Sequence, residues 1–473
     1  MSDSDQKSSL SGHLTRTETI VGASLPLTEP GSRWDIKISD GHIVSVQRQA
    51  DNYRRNDTDD TVSAKGQLHV QGALLAPSLC HPHVHLDKAF LLSHPKYSHL
   101  QIEKGTFAEA MGLTSMAKAE FDIQDLLERG GRLLNESVNA GVTHMRAFVE
   151  VDQIVDYKCL EAGQQIKETY KEQCDVRLCA FAQLPLFSGD DGGEQIRHLI
   201  AQAAGDRYQA DAIGSTPYVE SDRGRMKKNV EWLIDLALQH DKHIDFHLDY
   251  NLDSNSEPLV WHVLSTLRAK RWSEKSKKTI VFGHCTRLTL FQDSDWRRLK
   301  VEIGDLPVSF VGLPTSDLYM MKTDNGVRGT MNIPSLIQQY GLNGAIGINN
   351  IGNAFTPQGC CDPVYLANMG VGVYQAGTTK DIYVLYECIS TRARTAIGLS
   401  DSDASPNSEG DAQRVGLQIE SGQVANLVLF SSKDDNRVSK TSIADIVYFY
   451  HGTAGREVWH RKGGRSELLQ HHH

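Results

Sequence analysis

His83 and His85 stand two residues apart in Leu79-Cys80-His81-Pro82-His83-Val84-His85-Leu86-Asp87-Lys88, at the end of an apolar run. Alternate residues of a β-strand share a face, so the two imidazoles can reach one metal ion. Imidazole is the commonest protein ligand for zinc and a good one for iron, and such a pair needs only one or two further donors. His81 lies too early on the strand to join them and reads as a supporting residue. Lys88, just past the pair, is a candidate for the active site. Two more histidines close short apolar runs: His247 in His243-Ile244-Asp245-Phe246-His247 and His284 in Ile280-Val281-Phe282-Gly283-His284. His247 reads as a third metal ligand and His284 as a catalytic residue. Gln183, Asn349 and Asn350 end other runs of the same kind. Asp317, in Leu313-Pro314-Thr315-Ser316-Asp317-Leu318-Tyr319, offers a carboxylate, and Arg328 on the same connection offers a guanidinium for a substrate carboxylate.

The elements that must hold these residues repeat along the chain. Between about residues 72 and 400, β-rich runs alternate with helical patterns, which is the mark of βα units and a parallel sheet. The expected strands are Leu74 to His85, Thr143 to Val151, Val176 to Gln183, Ala212 to Pro217, His243 to Leu248, Thr279 to His284, Val308 to Leu313 and Gly344 to Ile348. Eight strands make a (β/α)8 TIM barrel, whose working residues gather at the carboxyl ends of the strands. Asn229 to His240, with Val230, Leu233, Ile234 and Ala237 at helical spacing, is one of the intervening helices. Before the barrel, Asp35 to Val46 reads as a hairpin around Asp40-Gly41; after it, Gln423 to Phe430 and Ile446 to Tyr450 read as strands. Both ends are therefore expected to build one small β-sandwich module. The expected division is 1–70 and 415–465 for that module and 71–400 for the barrel. Asp51 to Asp60 and Asp401 to Gln413 are hydrophilic and read as surface loops without chemistry.

Composition narrows the function classes. The 473 residues, 40% hydrophobic, suffice for a barrel with an attached module. A net charge of -10 gives no basic footprint for nucleic acid or an anionic membrane, so the expected partner is a small-molecule substrate, with a homo-oligomer left open. No apolar run approaches the roughly 18 to 20 residues of a membrane span. The polar opening Met1-Ser2-Asp3-Ser4-Asp5 carries no basic region followed by an apolar core, and eight cysteines without CxxC spacing fit reduced thiols. A cytoplasmic location is expected. The closing His471-His472-His473 is set aside as a tag remnant.

The segments Pro82-His83-Val84-His85-Leu86-Asp87, Gly141-Val142-Thr143-His144-Met145-Arg146, Ala180-Phe181-Ala182-Gln183, Ile244-Asp245-Phe246-His247-Leu248-Asp249 and Gly283-His284-Cys285-Thr286 together resemble the amidohydrolase superfamily. The resemblance runs from about residue 65 to residue 452. It is specific to the branch of barrel-type cytosine deaminases and N-isopropylammelide amidohydrolases, and Lys88 matches the ammelide-hydrolase form of the first motif. It implies one divalent metal, zinc or iron, held by His83, His85, His247 and a residue of the eighth strand, with His284 moving protons and Gln183 reading the substrate. A C–N bond at an sp2 carbon of a cyclic or heterocyclic molecule would be cut by metal-activated water.

Two departures qualify that implication. The family's Gly-x-Asp-Asp at the eighth strand reads Gly347-Ile348-Asn349-Asn350 here, so an amide that cannot accept a proton takes the position of the metal-binding aspartate. Three histidines and water can still hold zinc. After the fifth strand, the deaminases' His-x-Asp-Glu reads His247-Leu248-Asp249-Tyr250, which replaces the general-acid glutamate by a phenol of ordinary pKa about 10. Cytosine itself is therefore disfavoured as a substrate. The expected catalytic residues are His284, Lys88 and Asp249, with Gln183, Tyr250, Asp317, Arg328 and Asn350 on the substrate and Asn349 in the metal set. The alternatives are a non-hydrolytic lyase, cyclase or isomerase on the same barrel, or an inactive binding protein.

Overall fold

In the computed structural model the described residues are 17–50, 66–399, 416–431, 440–450, 455–461 and 464–467. The runs Asp51 to Asp60 and Asp401 to Gln413, read above as loops, lie outside them. Eight parallel strands form the central sheet: β6 (Leu79–His85), β7 (Val142–Glu150), β8 (Asp175–Ala182), β9 (Ala212–Ser215), β10 (His243–Leu248), β11 (Ile280–His284), β12 (Val308–Gly312) and β13 (Gly344–Ile346), each paired with the next in chain order. The seam between the first and the last is closed by backbone alone: His85 N donates to Asn349 O at 2.8 Å and Asn349 N donates to His83 O at 3.1 Å. The result is a (β/α)8 barrel. Every residue of β6 and β7 is buried, as expected of strands covered on both faces.

Helices wrap the sheet because their apolar residues fall on one stripe. Arg223–His240 buries Val230, Leu233, Ile234 and Ala237 against the barrel and is started by the Asp222 side chain, which accepts from Arg225 N. Phe107–Ala119 is an additional helix between β6 and the covering helix Ile123–Asn139, and it lies across the carboxyl end of the barrel.

The small module has two sheets. One comprises β1 (Thr17–Ala23), β2 (Trp34–Ser39), β3 (His42–Arg48) and β4 (Gln67–His69), in the order β3-β2-β1-β4. The other joins β5 (Leu74–Pro77) to β14 (Leu427–Phe430), β15 (Arg456–His460) and β16 (Gly464–Glu467). Ile20, Ile36 and Ile38 from the first sheet share a core with Leu75, Leu427, Leu429 and Trp459 from the second. The β2–β3 turn is Asp40-Gly41, with φ of 49° and 76° at the two residues, the left-handed pair a two-residue hairpin needs. No helix among the described residues is long and apolar enough to cross a membrane.

Three expected elements differ. Leu74 to His85 is two strands: Pro77 has no N–H to continue a ladder, and at Ser78 the chain leaves the module for the barrel, held by Arg394 donating to Ser78 O at 2.8 Å. Gln423 to Phe430 becomes regular strand only from Leu427. Ile446 to Tyr450 falls on a helix, Ile443–Tyr448, because the Ser442 side chain accepts from Asp445 N and Ile443, Ile446 and Val447 bury one face.

Candidate metal centre and its cavity

The ends of β6 and β10 bring three imidazoles to one point. His247 Nε2 lies 3.1 Å from His83 Nε2 and 3.1 Å from His85 Nε2. All three rings are buried, and burial first, then the positive charge of neighbours that include His284 and Lys88 at every ring and Arg146 at His83, pushes each pKa well below the usual histidine range. Neutral imidazoles are the ligating form. Three neutral Nε2 atoms this close cannot all face one another unless a proton or a cation lies between them. The rings are held by aromatic packing: His83 stacks on Phe148 at 4.0 Å between centroids, and His247 lies tilted against Phe181 at 4.3 Å. Behind His83 lies Asp245, whose Oδ1 is 3.7 Å from Nδ1 and whose Oδ2 is 3.4 Å from Arg146. Burial raises the Asp245 carboxyl to about 8 despite Arg146.

Asn349 sits beside this group. Its Oδ1 is buried without a hydrogen bond, and its side chain is in reach of His83. Its backbone closes the barrel seam, so the position is fixed whatever the side chain. The donor set of three imidazole nitrogens and one orphaned amide oxygen fits a divalent zinc or iron ion. Asp249, His284, Cys285 and Asn349, all at strand ends here, hold φ between 49° and 65° without being glycine. Such backbone strain gathers at functional sites.

A pocket opens from the histidines. His85, His247, His284, Asn349 and Asn350 line one side, Lys88 and Gln183 another, and Phe107, Tyr218, Tyr250 and Phe355 the aromatic walls. Among these lining residues there is no carboxylate. Lys88 Nζ donates to Gln183 Oε1 at 3.3 Å, lies 5.1 Å from the Phe355 ring centroid, and pairs with Glu150 Oε1 at 2.7 Å. Glu150 also meets Lys118 from the additional helix, and Lys118 meets Asp152. Burial pushes the Glu150 carboxyl up, but Lys118 and then Lys88 outweigh it and hold it at about 2. Next to it Asp87 does not line the cavity: its Oδ2 accepts from Glu150 N at 2.7 Å, and burial with the Glu150 charge raises it to about 6.

Not every expected site residue reaches the cavity. His83, His85, His247, Asn349, His284, Lys88, Gln183, Tyr250 and Asn350 converge there or adjoin it, with Tyr250 tilted over His284 at 3.9 Å between centroids. Asp249 does not take a catalytic position: its oxygens accept from Leu259 N at 2.6 Å and Val260 N at 3.0 Å, so it caps the start of helix Val260–Ala269. Arg328 is not at the substrate cavity but donates to the carbonyls of Leu318 and Tyr319 on its own loop. Asp317 lies one layer behind the cavity wall, hydrogen-bonded to His284 Nδ1 at 2.7 Å, so direct substrate contact is not its place. His81 is structural, bonded to Ser137 Oγ and Cys361 O. Glu150, Lys118, Asp245, Phe107, Tyr218 and Phe355 were not singled out from the sequence. Glu150 ends β7 as the histidines end theirs, and that position was its only signal.

A second group, His144, Asp175 and His460, brings two imidazoles within 3.8 Å of one carboxylate oxygen at the amino-terminal end of the barrel. Arg461 already meets that oxygen at 2.9 Å and supplies the positive charge, so this cluster works as a clamp between module and barrel.

No family model matches the sequence. It is 22% identical over 421 residues to the N-isopropylammelide isopropyl amidohydrolase of Pseudomonas sp. (strain ADP), covering 86% of this chain and 89% of that one. The fold is similar to that of 5-methylcytosine deaminase from Klebsiella pneumoniae, solved with 5-fluorocytosine, at a TM-score of 0.77 and 19% identity over 96% of this chain and 98% of that one. It is also similar to N-isopropylammelide isopropylaminohydrolase from Burkholderia multivorans, at a TM-score of 0.70 and 18% identity over 95% and 97% of the two chains. The similarity runs nearly end to end in sequence and over almost the whole length of the barrel in structure, so this chain shares its fold with, and is similar in sequence to, proteins named as amidohydrolases and deaminases.

Proposed function

We propose that the chain is a metal-dependent hydrolase that cuts an exocyclic or ring C–N bond at an sp2 carbon of a small planar heterocycle. The observation that carries the reading is the meeting of His83, His85 and His247, with His247 Nε2 3.1 Å from each of the other two, at the floor of a pocket walled by hydrogen-bonding groups and aromatic rings. A divalent zinc or iron ion bound there supplies a water acidic enough to attack at neutral pH. The names of the similar proteins, an ammelide amidohydrolase and a cytosine-type deaminase, agree with C–N chemistry on nitrogen heterocycles.

The cavity sets the electronics of the substrate. With no lining carboxylate, it has nothing to pair with a cationic substrate, and Lys88 and Gln183 present donors. The ring that fits is neutral or anionic, carries a carbonyl or deprotonated ring position toward Lys88, and lies between Tyr250 and Phe355 or Phe107. Tyr250 stands where cytosine deamination needs a carboxylic acid, and burial pushes its phenol further above 10. Cytosine is therefore a poor substrate, and hydroxylated aminotriazines are better ones. Loss of the eighth-strand carboxylate favours one further reading, a lyase or isomerase on the same barrel.

The test is metal analysis of protein purified without added metal, followed by incubation with a panel of hydroxylated aminotriazines and aminopyrimidones in oxygen-18 water. The expected result is one zinc or iron per chain, lost in His83→Ala and His247→Ala, with release of amine or ammonia and one heavy oxygen in the product. A product without heavy oxygen transfers the assignment to the non-hydrolytic reading, and absence of stoichiometric metal from the parent protein defeats the proposal.

A further inference from the structure

The carboxylate expected at position 349 is missing, yet other acids lie close to the cavity, and the partners of Asp249, Glu150, Asp245 and Asp317 distinguish them. Asp249 accepts the N–H groups of Leu259 and Val260 and is committed to a helix start. Glu150 is shared by Lys88 and Lys118. Asp245 faces Arg146 and the back of His83. Among these acids Asp317 alone touches a cavity-lining histidine, since its Oδ1 lies 2.7 Å from His284 Nδ1.

We propose that Asp317 is a positioning residue that stands in for the carboxylate absent at 349, acting through His284 instead of on the metal. The proposal rests on the hydrolase reading given above. Asp317 is fully buried in the short helix Pro314–Met320, where Thr330 Oγ1 donates to its Oδ2 at 2.8 Å and Leu313 N approaches the same oxygen at 3.4 Å. Its remaining oxygen is thereby aimed at His284 alone. A carboxylate facing Nδ1 fixes the tautomer with the proton on that nitrogen, which leaves the Nε2 lone pair for the cavity. The ring cannot swing away, because Tyr250 covers one face at 3.9 Å between centroids and His247 stands 5.1 Å away.

The reaction balances around that nitrogen. Water contributes its oxygen to the substrate carbon as the C–N bond breaks; one of its protons passes to His284 Nε2 and then to the leaving nitrogen, and the other stays with the product oxygen. The imidazolium formed between these transfers lies against the Asp317 carboxylate, so the charge that an eighth-strand aspartate would have met is met behind the ring. In this chain the acid and the amide have complementary positions: an amide at 349, and a carboxylate at 317.

The test combines a spectroscopic readout with kinetics on Asp317→Asn, Asp317→Glu, Asn349→Asp, His284→Gln and the double variant Asp317→Asn/Asn349→Asp, each first shown to fold by circular dichroism. The parent protein is expected to give a far-downfield proton resonance from the His284 ring N–H, absent in His284→Gln and lost in Asp317→Asn. On whichever heterocycle of the panel is turned over, Asp317→Asn should lower kcat by about 10²- to 10⁴-fold with KM and zinc retention against a chelator unchanged, Asp317→Glu should keep more activity, and the double variant should recover part of the loss. A resonance that survives Asp317→Asn, or a loss confined to KM or to zinc retention, overturns the proposal. Absence of both zinc and iron from the parent protein would sink the hydrolase reading by itself, while the resonance still decides whether Asp317 sets the tautomer.

Discussion

Replacing Glu150 by Gln tests whether the cavity lysine is held as a charged group by a buried acid. Glu150 is 1% exposed and lies between Lys88 and Lys118. Lys118 keeps Asp152 when the charge is removed, whereas Lys88 keeps only Gln183 at 3.3 Å. Removing one partner of a buried pair costs about 3 to 5 kcal/mol, because the other charge is left in low dielectric. The titration of Glu150 gives a similar figure. Its pKa falls from the ordinary 4.5 to about 2 on folding, which is worth about 3 kcal/mol at neutral pH at roughly 1.4 kcal/mol per tenfold. Since the folded value is the lower one, this stabilisation is complete above the unfolded value and disappears as pH falls toward 2, where both states bind the proton. The Glu150→Gln variant should therefore be about 3 kcal/mol less stable than the parent at pH 7, with the difference falling to about half or less near pH 3. Urea unfolding followed by tryptophan fluorescence at both pH values, on metal-free protein, measures it. A penalty below about 1 kcal/mol at pH 7, or one equally large at pH 3, refutes the picture of a lysine pair sharing one ionised carboxylate.

Two further substitutions probe the cavity floor. Asn349→Asp adds a charged oxygen to a neutral donor set and should tighten zinc at least about tenfold in competition with a chelator, since charge-assisted contacts exceed neutral ones by about 1 to 2 kcal/mol; unchanged affinity would place the side chain outside the coordination sphere. Tyr250→Phe should leave kcat close to that of the parent at pH 7 to 9, because burial, Asp317 and Tyr218 keep the phenol protonated well above that range and its contribution is the ring face over His284; a drop of about a hundredfold or more would make the hydroxyl a proton carrier.

Some of this architecture could be read directly from the chain. A histidine at the end of a β-rich run is a local pattern, so His83, His85, His247 and His284 could be located before any strand was paired, and Asp40-Gly41 announced its own hairpin. What could not be read depended on partners distant in sequence. Asp249 looks like an acid following a metal ligand, but two backbone N–H groups ten and eleven residues later claim it. Glu150 is an ordinary strand residue until Lys118, thirty-two residues earlier on a helix, turns it into the support for Lys88. Ile446 to Tyr450 has strand-like composition, and only the Ser442–Asp445 cap selects the helix. Leu74 to His85 gave no sign of its switch between sheets because both halves are equally apolar; the change of partner at Ser78 is a tertiary decision.

The acids reveal how such a site could function without a carboxylate at 349. Asp245 stands behind His83, Asp317 behind His284 and Glu150 behind Lys88. In each case the acid lies one side chain back from the cavity, where it holds a nitrogen group at or beside the cavity. Placed there, a carboxylate steers nitrogen donors without repelling an electron-rich ring, and a metal bound by neutral imidazoles keeps more of its positive charge for the substrate than one that also bears an aspartate. The gain in polarising power comes at the expense of metal affinity and of an acid able to take a proton directly. A single test follows from that exchange: in Asn349→Asp protein zinc should bind more tightly while inhibition by an anionic ring such as barbiturate weakens. Tighter zinc with equal or stronger barbiturate inhibition would show that the missing carboxylate has no bearing on the charge of the substrate.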